Sequence, residues 1–144
     1  MFNGIIKNTG TITKLIKTKN EYLMEVHSLL KLSSREIGSS ICCSGVCLTL
    51  NKIKGKLSTF YISKETLNKS NFDKAKKGDV INLEKSLKFG DRISGHFIQG
   101  HVECTSKIRK ISFVGKSCSI NFEIQKKFKK HLIKKGSVAV NGVS

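Results

Sequence analysis

Three stretches of this chain occur twice, in the same order and at nearly the same separation. Gly4-Ile5-Ile6-Lys7-Asn8-Thr9-Gly10-Thr11-Ile12 aligns with Gly100-His101-Val102-Glu103-Cys104-Thr105-Ser106-Lys107-Ile108. Glu25-Val26 aligns with Glu123-Ile124, and Ser40-Ile41-Cys42-Cys43-Ser44-Gly45-Val46-Cys47 with Ser137-Val138-Ala139-Val140-Asn141-Gly142-Val143-Ser144. The offset is roughly 96–98 residues each time, far longer than the ~20–50 residues of a solenoid repeat. One match would be weak; three in order at nearly one offset indicate a duplicated domain.

The duplication divides the chain unequally. A first copy occupies residues 1–96 and a second residues 97–144, and the counterparts of Leu48 to Leu83 have no place in that second stretch. Half a unit leaves strand edges unpaired and an apolar face uncovered. The expectation is therefore a fragment or truncated product, or a unit that another chain completes.

Within the first copy the apolar stretches are short and rich in β-branched residues. Thr11 to Ile16, Tyr22 to His27, Ser40 to Leu50, Leu57 to Ile62 and Val80 to Leu83 read as extended. Thr18-Lys19-Asn20, Lys54-Gly55 and Lys77-Gly78-Asp79 read as turns, with Lys54-Gly55 closing a hairpin. Many short strands at this spacing predict an all-β barrel or sandwich. Ser33 to Glu36 and Lys64 to Leu67 each suit a single turn of helix. Lys126 to Lys135, with Phe128, Leu132 and Ile133 between lysines, has the pattern of an amphipathic helix.

Composition narrows the function classes. Apolar residues make up 38% of the chain, which argues against disorder. No apolar run approaches the ~18 residues of a membrane helix, and the first residues carry no signal-peptide pattern. Cys42, Cys43, Cys47, Cys104 and Cys118 make an odd count without a CxxC pair, and the four histidines have no metal-ligand spacing near them. A cytoplasmic protein with reduced thiols, without metal or membrane attachment, is expected. The net charge of +17 raises nucleic-acid binding, but the lysines are spread from Lys7 to Lys135. Aromatics are only 7%, there is no Trp, and Phe97, Phe113 and Phe122 sit in apolar strand patterns unsuited to base stacking. No nucleic-acid partner is expected.

The ordered motifs resemble those of the riboflavin synthase family. They are Met1 to Ile6, Ser40-Ile41 with Gly45 to Leu50, Lys64 to Leu67, Gly78 to Glu84, Gly95 to Val102, Lys135 to Ser137, and Asn141 to Ser144. Asn3 departs from the pattern, standing where a small hydroxyl residue is usual. The resemblance covers essentially the whole sequence. It implies a six-stranded antiparallel Greek-key barrel followed by about half of a second similar barrel. The implied reaction is a dismutation in which two 6,7-dimethyl-8-ribityllumazine molecules exchange a four-carbon unit, giving riboflavin and 5-amino-6-ribitylaminouracil, with no separate cofactor. A homotrimer at full length, with each site between chains, and lumazine synthase as a candidate partner also follow from it.

Carried over by position, Gly4, Ile5 and Ile6 would line the ring site of barrel one. Cys47, Leu48, Thr49 and the segment Tyr61, Ile62, Ser63, Lys64, Glu65 and Thr66 would join them, with Ser40 nearby. Gly100, His101 and Val102 would be the equivalent of Gly4 to Ile6 in barrel two, with Lys135 and Ser144 as further contacts. Cys47, His101 and Ser144 are the implied catalytic residues. His101 replaces an apolar residue of the first copy with a group that titrates near neutral pH. Each has a plainer reading: Cys47 among Val46, Leu48 and Leu50 suits a core position, His101 a surface, and Thr49 and Thr66 any strand face. Cys42, Cys43, Cys104 and Cys118 are assigned to packing. The competing function within the same fold is a non-catalytic flavin or lumazine carrier.

Overall fold

The computed structural model describes residues 1–19 and 21–144; Asn20, placed in a turn by the sequence, lies outside the described residues. Strands β1 (Asn8–Lys17), β2 (Glu21–Ser28), β3 (Ser40–Cys43), β4 (Val46–Lys54), β5 (Leu57–Ser63) and β6 (Val80–Lys85) close into one antiparallel barrel in the order β1-β2-β5-β4-β3-β6. The meander β3-β4-β5, with β6 returning beside β3, is a Greek key. Closure runs from Asn8 opposite Leu83 to Thr11 opposite Val80, so no edge of this barrel is left open there.

The period-2 pattern decides which side chains turn inward. Ile12 in β1, Met24 and Val26 in β2, Leu48 and Leu50 in β4, Phe60 and Ile62 in β5, and Ile81 and Leu83 in β6 form the core. Each fully buried side chain of this kind contributes roughly 1.5–3 kcal/mol. Helix α1 (Lys64–Lys69) starts at Ser63, whose hydroxyl accepts the Thr66 N–H at 3.2 Å, and it lowers Leu67 into the same core. Phe72, in the 3-10 turn that follows, packs there too.

One extended stretch read from the sequence is in fact two strands. Ser40 to Leu50 folds back at Ser44 and Gly45, whose φ angles are 45° and 89°, the paired left-handed residues of a type I′ hairpin.

The second copy repeats the start of this plan. Strands β7 (Ile108–Val114) and β8 (Ser117–Phe122) form a hairpin corresponding to β1 and β2. Val140 and Val143 pair across Asn141 and Gly142, at φ 49° and 83°, which reproduces the Ser44-Gly45 turn. The amphipathic helix expected over Lys126 to Lys135 is confined to α2 (Lys126–Lys129), with Leu132 and Ile133 exposed. Its apolar face has no sheet to cover, because the strands that would supply one have no counterpart in residues 97–144, and a short helix without tertiary burial is not stable in water. Ile111, Phe113 and Ile120 on the β7–β8 hairpin also stand exposed, as does Phe97 ahead of it. No helix is long and apolar enough to cross a membrane among the described residues.

Candidate functional site

Between Val46 and Thr49, β4 pairs with β3 but not yet with β5, whose register begins at Leu50. The second copy takes that place. The Cys47 N–H donates to the Gly100 carbonyl at 2.8 Å, and Val102 packs on the core of the first barrel. Gly100 lies at φ +78°, and a Cβ there would stand 2.8 Å from the Cys47 Cβ and 3.1 Å from Phe2 Cε2. Only glycine permits so close an approach in that conformation.

The reciprocal contact is made by the first copy on the second. The Ser144 N–H donates to the Gly4 carbonyl at 3.1 Å, and a Cβ on Gly4 would stand 2.5 Å from the Ser144 Cβ. Cys47 and Ser144 are repeat equivalents, as are Gly100 and Gly4. The axis between them passes near two further equivalent pairs. Phe2 and Ile98 exchange backbone hydrogen bonds at 2.8 and 3.0 Å, and Gly45 and Gly142 stack turn on turn. The two copies therefore grip one another about a local two-fold axis, each lending its first strand segment to the other.

This arrangement corrects the grouping expected from the motifs. The glycine hydrogen-bonded to Cys47 is Gly100, and the Gly4 carbonyl serves Ser144. Motif order identifies the two glycines as equivalent but carries no information on which barrel each one docks against.

The remaining candidates separate clearly. Thr49 is exposed opposite Ser40, and Tyr61 is half-exposed on β5. Leu48 and Ile62 point into the core, so only their backbone can meet a ligand. Ser63 and Thr66 are joined through their hydroxyls at 3.0 Å at the start of α1, where Lys64 and Glu65 are exposed. Ile5 and Ile6 lie at the surface and half-buried, His101 is exposed, and Lys135 is exposed at φ 62°. No described hydrogen bond or ion pair brings His101 or Lys135 to Cys47 or Ser144.

Two residues not singled out by the sequence organise this region. Glu84 accepts the Asn3 N–H at 2.7 Å and the Gly4 N–H at 3.0 Å, which fixes the first-copy segment that reaches Ser144. His96 Nδ1 and Ser144 Oγ are 2.6 Å apart, while the His96 N–H donates to the Asn3 carbonyl at 3.1 Å. Both lie inside motifs that carried the resemblance; a titratable residue just ahead of the second repeat was the signal available for His96. An imidazole sharing a proton with a hydroxyl can activate that hydroxyl or pass its proton on.

The cysteines differ sharply. Cys43 points into the core, where burial pushes its thiol well above the ordinary range. Cys42 is buried under the second-copy turn, and burial, with the Glu84 carboxylate adding, pushes its thiol up to about 11. Cys47 is half-buried, Cys104 likewise, and Cys118, assigned to packing by the sequence, is exposed on the uncovered β7–β8 hairpin.

Known proteins resemble this chain along its length. The family described as lumazine binding domain matches residues 3–86 and 99–144. Riboflavin synthase of Bacillus amyloliquefaciens is 31% identical over 144 residues, all of this chain and 67% of that protein, so the chain spans about two thirds of that relative's length. Among solved structures, LumP complexed with riboflavin superimposes at a TM-score of 0.84 with 21% identity, covering 99% of this chain and 78% of that one. LumP complexed with 6,7-dimethyl-8-(1'-D-ribityl) lumazine gives 0.80 with 20% identity, covering 99% and 77%.

Proposed function

The chain belongs to the lumazine-binding domain family, and on that premise we propose that its first barrel binds 6,7-dimethyl-8-ribityllumazine and riboflavin in a site shared by both copies. The observation that carries this reading is the docking of Gly100 to Val102 against Cys47 and the barrel core. The Cys47 thiol is half-buried there, and Thr49, two residues further along the same strand, is exposed. Flat heterocycles suit such a place, with backbone groups for the ring edge and hydroxyls for the ribityl chain.

For the whole protein we infer the riboflavin synthase reaction, the dismutation of two lumazines to riboflavin and 5-amino-6-ribitylaminouracil. Much of that chemistry belongs to the substrate, whose C7 methyl is acidic because its carbanion delocalises into the ring. The protein's part is to hold two rings face to face, worth up to ~7–11 kcal/mol in favourable cases, and to move protons. Cys47 would act from the first copy. Ser144, oriented by His96, would act from the second, and His101 would move protons between them. Two similar sites that need not face one another within a chain would meet across a boundary in a trimer. Residues 1–144 taken alone are expected to bind ligand through the first barrel and to turn it over poorly.

Titration of riboflavin with the purified chain, with its mass in solution recorded, tests the reading. Saturable quenching of flavin fluorescence supports it, and no binding at high protein concentration contradicts it. A carrier of the same fold without catalysis is the second reading. Absence of turnover in a chain extended through the second barrel would select it.

A further inference from the structure

Cys42 and Cys47 lie directly opposite each other on β3 and β4. Next to them, Cys43 and Val46 flank the two-residue turn and form its closing pair. In an antiparallel hairpin the pair after a closing pair is not hydrogen-bonded across the strands. The structure agrees, because the Cys47 N–H is spent on Gly100 and not on Cys42. At such positions the Cα atoms are about 4.5 Å apart and the side chains rise together on one face. Ile41 and Cys43 take the inner face, so Cys42 and Cys47 share the outer one. A separation of ~4.5 Å lies at the short end of the range that a disulfide spans, about 4.4–6.8 Å.

We propose that Cys42 and Cys47 form a reversible cross-strand disulfide that withdraws the Cys47 thiol from the ligand site. This rests on the reading that Cys47 lines that site. The two thiols are unequally placed for the two steps. Cys47 is half-buried and meets solvent, whereas Cys42 is covered by the second-copy turn, its Sγ 3.4 Å from where a Gly142 Cβ would lie. Hydrogen peroxide is the oxidant. The Cys47 thiolate attacks the peroxide oxygen, the O–O bond breaks, and hydroxide leaves to take up a proton as water, which gives a sulfenic acid. The Cys42 sulfur then attacks the Cys47 sulfur, the S–O bond breaks, and the departing hydroxide takes the Cys42 proton as a second water. The two thiols lose two electrons and one peroxide gains them. Short cross-strand geometry strains the bond, and strained disulfides are the readily reduced ones.

The test uses the chain carrying Cys104→Ser and Cys118→Ser, so that neither thiol outside the pair can link two molecules. The reduced protein is exposed to hydrogen peroxide, its free thiols are alkylated, and its intact mass and riboflavin affinity are measured. The expected product has lost two hydrogens, keeps one alkylatable thiol (Cys43), binds riboflavin at least tenfold more weakly, and recovers fully with dithiothreitol. Cys42→Ala, which keeps the covered position apolar, should abolish the two-hydrogen loss and leave Cys47 as sulfinic acid. Cys42→Ser serves equally if that variant does not fold. Loss of two hydrogens in either Cys42 variant overturns the pairing, as does a product of the chain that retains Cys42 in which Cys42 is still alkylatable. A disulfide with unchanged riboflavin affinity overturns the withdrawal. Failure of the reduced chain to bind riboflavin would contradict the ligand reading alone, because the mass measurement decides the linkage independently.

Discussion

The backbone N–H of Cys47 in the first copy donates to the carbonyl of Gly100 in the second, at 2.8 Å. Its equivalent, Ser144 to Gly4, is made in the opposite direction at 3.1 Å. A duplicated domain need not assemble this way; each copy could have kept its own first segment. The exchange ties the first segment of each copy to the other copy.

Gly100→Ala should be costly. The left-handed backbone alone penalises a Cβ by about 1–2 kcal/mol, and here that Cβ would also meet Cys47 at 2.8 Å. At Gly55, with φ +59°, a Cβ would meet nothing within 4 Å, so that position isolates the backbone penalty. Urea denaturation should show Gly100→Ala losing clearly more stability than Gly55→Ala. Equal losses would mean that the Cys47 contact is not tight.

Glu84→Gln should loosen the first-copy segment. The carboxylate accepts from both Asn3 and Gly4, and hydrogen bonds to a charged acceptor contribute roughly 1.5–3 kcal/mol each. The amide keeps one acceptor and turns an N–H toward the other donor. Amide hydrogen exchange should accelerate at Asn3, Gly4 and Ser144 while the β2–β5 amides stay protected. Uniform acceleration would point to global destabilisation instead.

Alkaline pH should weaken the fold through its buried thiols. The Cys42 thiol is raised from 9.0 to about 11 in the folded chain, and Cys43 is raised further. A raised folded value means stability fully present below the unfolded value and lost as pH rises toward the folded one. Denaturation midpoints should therefore fall between pH 9 and pH 11, and fall less in Cys42→Ala. Disulfide closure should for the same reason be faster at higher pH, because the thiolate is the attacking species.

The Glu36–Lys85 pair, 2.6 Å apart, ties the 3-10 turn at Ser34–Glu36 to β6. The hydrogen bond from Lys85 holds the Glu36 carboxyl below its ordinary range, against a smaller opposing effect of burial. A lowered folded value gives stability present above the unfolded carboxylate range and lost as pH falls through the folded one. Glu36→Gln should cost on the order of 1 kcal/mol or less at pH 7, since the pair is partly solvated. The difference from the unsubstituted chain should vanish in acid; a difference that persists there would rule out the charge as its cause.

How far the sequence reveals the molecule depends on which forces act locally. The strands were legible because β-branched residues alternate along them, and Lys64 to Leu67 read as the turn of helix that opens α1. The Ser44-Gly45 turn was hidden inside Ser40 to Leu50, where apolar residues run through without a strong breaker. Lys126 to Lys135 has helical periodicity, but periodicity predicts a helix only where something covers its apolar face. The site residues were named by motif, yet their partners were not, because Gly4 and Gly100 occupy the same motif position and only packing decides that they trade places. Glu84 and His96 act through contacts some 80 and about 48 residues away, at Gly4 and Ser144, and no local pattern announces such reach.

The central claim is that one ligand site is built from both copies. It is tested most directly by titrating riboflavin into the isotopically labelled chain and following backbone amide shifts. Cys47, Thr49 and Thr66 should move together with Gly100, His101 and Val102, at one common midpoint. Shifts at Cys47 accompanied by Gly4 to Ile6, with Gly100 to Val102 unmoved, would contradict the exchange of segments and the shared site with it.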